Sequence, residues 1–408
     1  MKIFQINAVY RHLSTGSNVY EMNEAFRGQG HTCVAAFSTG QLQNPDEEYL
    51  IGSHLGQKCH ALLSRAFGLQ GYFSSGATRK LLKKLDAFQP DVVALNNLHA
   101  NYINLPILLK YLAQKDIPTV VVLHDCWFYT GKCCYYTDAG CDKWKTACGK
   151  CPVVSQYNKS WFFDFTKKMH DDRKKLFGAI PRLGVVAVSD WLLEQAKQAP
   201  VFRDAKQITR IHNWIDTRQF TPVDGSEVRK TLGLEGKTVM LAVAAVWESR
   251  KGMDALENIA GKLGEDERLV IIGKRSDEKP LPEKMIHISR TDSKEELIRY
   301  YSMADVFLQP SIEETFGKVT AEALSCGTPV VCFDSTANPE LVGENCGSVV
   351  PVGDVDGMLR QARVIAGKGK ECYSPVCRAF VEDRFNTQRI FDQYLRLFAH
   401  LQEKGERK

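Results

Sequence analysis

No run of about 18 apolar residues occurs anywhere in the 408-residue chain, so no segment suits a helix that spans a bilayer. A strong charge of one sign is also missing. The 53 basic and 48 acidic side chains leave a net charge of +5, which fits an anionic substrate but falls well short of a nucleic-acid footprint. There is no low-complexity tract and no internal repeat, which excludes repeat architectures and disordered arrays. The first residues, Met1-Lys2-Ile3-Phe4-Gln5-Ile6-Asn7, lack the apolar core and small-residue cleavage site of a secretion signal and read as a first strand. The expected location is therefore the reducing cytoplasm, where clustered cysteines favour metal over disulfides.

What is present describes a soluble globular protein: 44% hydrophobic and 25% charged residues, in a chain long enough for two domains. Short continuous apolar runs recur at Ile3–Val9, Thr32–Phe37, Val92–Leu95, Thr119–Leu123 and Gly184–Val188. A second series follows at Thr238–Val246, Leu269–Ile272, Met285–Ile288, Val306–Leu308 and Pro329–Phe333. Such runs predict strands buried on both faces, and the helix-length segments between them predict an α/β fold of two doubly wound, Rossmann-like sheets. The pattern is weakest between Ala199 and Asp216, which places the domains at 1–205 and 206–385. The remainder, 386–408, predicts a helix from the spacing of Ile390, Phe391, Tyr394, Leu395, Leu397, Phe398 and Leu401.

The most informative segment runs from Pro310 to Val331. An apolar strand stops at Pro310-Ser311, and a tight loop leads to a helix that starts near Gly317 and ends at Gly327. Glu314 lies just before that helix and Glu322 lies inside it, with seven residues between them. The first N–H groups of a helix form a site for a phosphate. Acceptors on either side of an anion site suit a diphosphate with hydroxyls at both ends, as in a nucleotide sugar. With Thr315-Phe316-Gly317-Lys318 between the glutamates, this block resembles the Glu-x7-Glu signature of retaining glycosyltransferases, specifically glycosyltransferase family 4. Asn213-Trp214-Ile215-Asp216, Arg250-Lys251-Gly252 and Ala304-Asp305-Val306 extend the resemblance through most of the second half.

The resemblance implies the GT-B fold, two domains facing across a cleft, with a C-terminal helix that crosses back to the first domain. Apolar spacing alone leaves open a helix packed only on the second domain. The resemblance also implies that Glu314 contacts the donor sugar near its reactive carbon and that Glu322 binds the ribose hydroxyls. His124, after the run Thr119–Leu123, would hydrogen-bond the sugar from the first domain; a buried structural histidine is the other reading. Anomeric configuration would be retained by front-face attack without a dedicated nucleophile.

Polar clusters at strand ends mark ligand positions in such sheets. Gly16 lies in one, Ser14-Thr15-Gly16-Ser17, and Gly273 opens another, Gly273-Lys274-Arg275. Asn213 joins the donor-binding set through its motif. Arg250 and Lys251 supply cations for a departing diphosphate. The family pattern carries an arginine where this chain has Val246, and Arg250 stands in as its replacement. The lone Asp-x-Asp triplet, Asp354-Val355-Asp356, reads as a solvated loop, so the expected chemistry is metal-independent and needs no catalytic cofactor.

Six of the 13 cysteines fall between Cys126 and Cys151. Cys133-x7-Cys141-x6-Cys148-x2-Cys151, with glycines at 131, 140 and 149, reads as a closed structural zinc site; Cys134 can replace Cys133, and free thiols or a disulfide are the alternatives. Similar cysteine-rich insertions occur in family 4 enzymes that build bacterial exopolysaccharide, including colanic acid transferases. That resemblance implies a saccharide or lipid-linked saccharide acceptor. Arg79-Lys80-Leu81-Leu82-Lys83-Lys84-Leu85, with Lys167-Lys168 and Arg173-Lys174-Lys175, offers peripheral contact with the inner face of the plasma membrane, or a solvated basic surface. The competing functions are a GT-B sugar-nucleotide epimerase or hydrolase and, from the cysteines, a zinc module that binds nucleic acid.

Overall fold

The computed structural model describes residues 1–403 except Tyr157, Ser276 and Glu278. Two parallel sheets organise the chain. The first contains β1 (Lys2–Ile6), β2 (Thr32–Phe37), β3 (Glu48–Leu50), β4 (Val92–Leu95), β5 (Thr119–Leu123), β6 (Leu183–Ala187) and β7 (Gln207–Arg210), in the order β3-β2-β1-β4-β5-β6-β7. The second contains β8 (Thr238–Trp247), β9 (Glu267–Arg275), β10 (Met285–Ile288), β11 (Val306–Gln309), β12 (Val330–Phe333) and β13 (Gly347–Val350), in the order β10-β9-β8-β11-β12-β13. Every residue of β4, β5 and β11 is buried, as continuous apolar runs require of strands covered by helices on both faces. This is the doubly wound α/β architecture that the apolar runs imply.

Three strands carry no such run. β3, β7 and β13 are edge strands with partly exposed residues, and short edges of this kind show no buried periodicity. Missing β7 shifts the domain boundary. The compact units are Met1–Ile211 together with the chain from Phe391 onward, and His212–Ile390, so the division falls after β7 and not at residue 205.

The last helix, Thr387–Gln402, starts in the second unit and belongs to the first from Phe391. Its buried residues follow the helical spacing, and Phe391 and Phe398 meet the ring of Phe26 edge-on at 5.8 and 6.1 Å. A Cβ at Gly184 of β6 would lie 2.7 Å from Leu401 Cδ1, so the helix sits on that strand with no room for a side chain beneath it.

Asp354-Val355-Asp356 is a helix start, not a solvated loop. The Asp354 carboxylate accepts from the Gly357 N–H at 2.8 Å and caps the helix Val355–Lys368, and Asp356 pairs with Lys262 at 2.6 Å.

Phe398→Ala removes a fully buried ring from the first unit and is expected to cost about 3–5 kcal/mol. Urea denaturation checks this: the transition of the first unit moves to lower denaturant, whereas an unchanged profile would mean that the helix does not stabilise this unit.

Candidate active site

In the second sheet the chain builds outward from β8 through β9 to β10, then from β11 through β12 to β13 on the other side. The reversal between β8 and β11 is the switch point where open α/β sheets bind ligands, beyond the carboxyl ends of the strands. Two loops meet there. After β8 come the turn Ser249–Lys251, Gly252 at φ 81° and the helix Met253–Ala260. A Cβ on Gly252 would lie 2.4 Å from the Pro310 carbonyl oxygen, so only glycine lets the two loops touch. After β11 the loop from Pro310 leads to Gly317, at φ 88°, and the helix Lys318–Ser325.

The loops are cross-linked. The Arg250 carbonyl accepts from Ile312 N–H at 3.0 Å and from Ser311 Oγ at 3.2 Å. From the segment after β12, Asn338 Nδ2 donates to the Ser311 carbonyl at 2.7 Å and Ser335 Oγ to that of Ile312 at 2.6 Å, while Thr336 Oγ1 accepts from Glu314 N–H at 2.8 Å. Thr336 sits at φ 50°, costly for a β-branched residue and maintained only by its surroundings. This scaffold brings Lys251 Nζ into an ion pair with Glu314 Oε1; their side chains are 21% and 12% exposed. Partial burial makes the attraction stronger than at an open surface.

Glu322, on the helix, is buried and accepts from the Tyr301 hydroxyl at 2.9 Å. Burial first, then the charge of Glu322, pushes the pKa of Tyr301 up, so that phenol remains a donor. Thr315 and Lys318 are half-buried on the loop and at the first helical position. The Phe316 ring is buried, edge-on to Phe385 at 5.2 Å and beside His212 at 6.0 Å, and anchors the loop. Asn213 is buried just before Ile215, whose N–H donates to the Phe385 carbonyl at 3.0 Å.

Gly273 does not follow a strand as expected. It lies within β9, not in a loop, and its φ of 130° admits the Ala244 carbonyl, which a Cβ would approach to 1.8 Å. The Arg250 side chain is 16% exposed, with Nε 3.4 Å from Glu248 Oε2, and Val246 is a partly exposed residue of β8. Tyr301, Thr336 and Asn338 escaped the sequence reading. The polar segment after β12 offered a signal by the same strand-end rule.

In the first unit the reversal lies between β1 and β4. Asn97 N–H donates to Asn7 Oδ1 at 3.0 Å, and His124 Nε2 lies 3.0 Å from Asn96 Oδ1. Neighbouring His99 Nε2 is 2.9 Å from Asp125 Oδ2. Burial lowers the His99 pKa, but the Asp125 carboxylate more than offsets this and leaves it raised. His99 escaped the sequence reading although it lies four residues past the end of β4, where the same strand-end rule applies. Gly16 is not in a loop. Ser14–Ser17 form the first turn of the helix Leu13–Gly28, and a Cβ at Gly16 would meet Val9 and the Tyr10 backbone at 3.0–3.1 Å.

Cys133, Cys141, Cys148 and Cys151 all line one void of about 20 Å³, enough for a single ion or water. The Cys133 and Cys151 thiols hydrogen-bond to each other, and Gly131 N–H donates to Cys148 Sγ at 3.2 Å. No three of these sulfurs lie within 4.8 Å of one another, and all are free thiols. Cys134 belongs elsewhere, within 4.8 Å of the ligand atoms of His99 and Asp125. Trp127, Phe128, Tyr129, Tyr136 and Trp144 are buried around the loop. Arg173 is no surface cation. It is buried, stacks on Trp127 at 4.0 Å and donates to the carbonyls of Trp127, at 2.6 Å, and of Thr130.

Residues 16–219, half of the chain, match the model of Glycosyltransferase Family 4, and residues 237–366 match that of Glycosyl transferases group 1. The chain belongs to glycosyltransferase family 4. It is 25% identical over 328 residues to a putative colanic acid biosynthesis glycosyl transferase, WcaC, of Escherichia coli K12, covering 76% of this chain and 77% of that one. It is 26% identical over 371 residues to a GDP-mannose-dependent alpha-mannosyltransferase of Mycobacterium tuberculosis, covering 88% and 84%. The fold is shared with Anabaena Alr3699/HepE, solved in complex with UDP-glucose, at TM-score 0.66 and 14% identity over 98% of this chain and 100% of that one. As a family 4 glycosyltransferase of GT-B type, it is an enzyme, and membership across both halves sets the nucleic-acid module aside. Among the described residues no helix is long and apolar enough to cross a membrane.

Proposed function

We propose that this glycosyltransferase moves a sugar from a nucleotide-sugar donor to a saccharide or lipid-linked saccharide acceptor in bacterial cell-surface polysaccharide synthesis, with retention of anomeric configuration. The observation that carries this reading is the Lys251–Glu314 pair beside the start of the helix Lys318–Ser325. Lys251, Arg250 and the first N–H groups of that helix stabilise the diphosphate as the bond from the anomeric carbon to its oxygen breaks. The acceptor oxygen bonds to that carbon on the same face, and its proton passes to the departing phosphate. Glu314 stabilises the positive charge that develops at the carbon, and Glu322 accepts from the ribose hydroxyls. His124 hydrogen-bonds the transferred sugar. This charge arrangement requires no divalent metal, and the Asp354-Val355-Asp356 carboxylates are already engaged as a cap and an ion pair. The names of the relatives support a nucleotide-sugar donor and a polysaccharide pathway.

A thermal-shift panel of UDP-, GDP-, ADP- and TDP-sugars on wild type and Glu322→Ala tests the donor site. One nucleotide family is expected to raise the midpoint in wild type and to lose most of that effect in the variant. Flat traces at millimolar ligand would remove the nucleotide-sugar reading. With the donor identified, Glu314→Gln is expected to lower kcat at least about a hundredfold with little change in donor affinity, as for loss of a transition-state contact. A kcat within about threefold of wild type would show that Glu314 has no such role.

We propose further that Cys133, Cys141, Cys148 and Cys151 hold one structural zinc. Four thiols facing one ion-sized void are the donor set that zinc takes, and binding would draw in sulfurs of which no three now lie within 4.8 Å of one another; a site closed by four protein ligands supplies rigidity and no chemistry. Metal analysis is expected to find about one zinc per chain, and Cys141→Ser to lower the unfolding midpoint. Well under one zinc, with unchanged stability in the variant, would discard the site.

A further inference from the structure

The helix His54–Phe67 is turned inside out. Its buried residues are His60 and Ser64, while Leu55, Leu62, Leu63 and Phe67 are 71, 56, 37 and 47% exposed. A helix that packs on a core presents the opposite arrangement. Directly against its end lies a second apolar segment, Trp161, Phe162, Phe163 and Phe165, at 52, 74, 49 and 37% exposure. The two are joined: Trp161 N–H donates to the Arg65 carbonyl at 2.7 Å, and a Cβ at Gly68, which ends the helix, would lie 2.4 Å from the Phe163 carbonyl oxygen. All large aromatic side chains exposed among the described residues belong to this one patch.

The charge at its margin is basic. Lys58, Arg65 and Lys159 are exposed at its margin, with Lys167 and Lys168 beyond, each paired to an aspartate one turn on. The sole carboxylate within the two segments, Asp164, accepts from the N–H groups of Cys151 at 2.7 Å and Thr166 at 2.9 Å.

We infer that this patch seats the first unit on an anionic lipid surface, with the aromatic and leucine side chains in the headgroup–acyl boundary and the cations on the phosphates. Aromatic rings and cationic side chains around an apolar face are the chemistry of that interface. A second copy of the chain fits less well, because a two-fold contact would set the basic margin against itself. The helix Ser75–Phe88, the sequence candidate for this contact, buries Leu81 and Leu85 in the protein and presents mainly cations, among them Arg79, Lys80 and Lys83. The inference deepens the lipid-linked acceptor reading, and its test requires no substrate.

The test is co-sedimentation of the full chain with phosphatidylcholine vesicles, with and without phosphatidylglycerol, for wild type and Phe162→Ser/Phe163→Ser. Both rings are exposed, so the unfolding midpoint of the variant should match wild type. Wild type is expected to bind the anionic vesicles, and the variant to partition at least about tenfold more weakly. Three results would overturn the inference: no binding by wild type at low salt, equal binding by the variant, or a wild-type dimer in solution that the variant abolishes. Because neither donor nor acceptor is present, failure here leaves the glycosyltransferase reading untouched, and success does not depend on it.

Discussion

Lys251 and Glu314 are 63 residues apart in sequence, yet their side chains meet because β8 and β11 are parallel neighbours at the one place where the sheet reverses its winding. The pair depends on the whole second sheet, and the local structure depends on the pair. Two half-buried opposite charges attract strongly at this separation, whereas either charge alone would face a desolvation cost with no compensation. The loops that carry them touch at Gly252 and Pro310 and share the Arg250 carbonyl as a common acceptor. A third strand end contributes Thr336 in a strained conformation, so three consecutive loops hold one carboxylate and one ammonium in place. Such over-determination is what preorganised electrostatics requires, because a flexible pair would reorganise as charge moved.

The first unit repeats the topology with different chemistry at its reversal. There the strand ends are joined by Asn7, Asn96, Asn97 and His124, together with Gln5 beneath them, through amide and imidazole contacts. The pair His99 with Asp125 lies beside this network, and each partner shifts the other toward its charged form against the effect of burial. Neutral amides offer donors and acceptors without fixing a charge, whereas the second unit concentrates cations at the corresponding position. A common backbone constraint places the loops, and side-chain type alone separates the two sites.

The central strands were legible because burial on both faces demands continuous apolar runs, and the segment Pro310–Val331 was legible because loop, helix start and glutamates lie close in sequence. Three kinds of feature were not. Edge strands β3, β7 and β13 show no apolar run because one side of each faces solvent, and overlooking β7 misplaced the boundary. Glycines at strand ends read as openings toward a ligand, yet Gly16 and Gly273 are there because neighbouring backbone fills the space. Partners such as Tyr301 for Glu322 come from elements distant in sequence, and no local pattern encodes them. Amphipathic spacing shows that a helix has two faces but not which one turns inward. The lysine-rich helix Ser75–Phe88 buries its leucines, and His54–Phe67 exposes them.

The cysteine-bearing loop ties these observations together. A stretch of this length with almost no regular secondary structure buries too little surface to order itself, so its shape must come from cross-links. Side-chain contacts supply them: Arg173 satisfies two of its carbonyls from within the protein, the buried aromatic side chains fill its interior, and the Cys133 and Cys151 thiols hydrogen-bond beside one small void. At one end Asp125 accepts from Trp127 N–H, fixing the loop to the polar cluster after β5. At the other, Asp164 accepts from Cys151 N–H, fixing the exposed aromatic segment to the last cysteine. One loop is therefore anchored to the polar cluster after β5 on one side and to the apolar patch on the other.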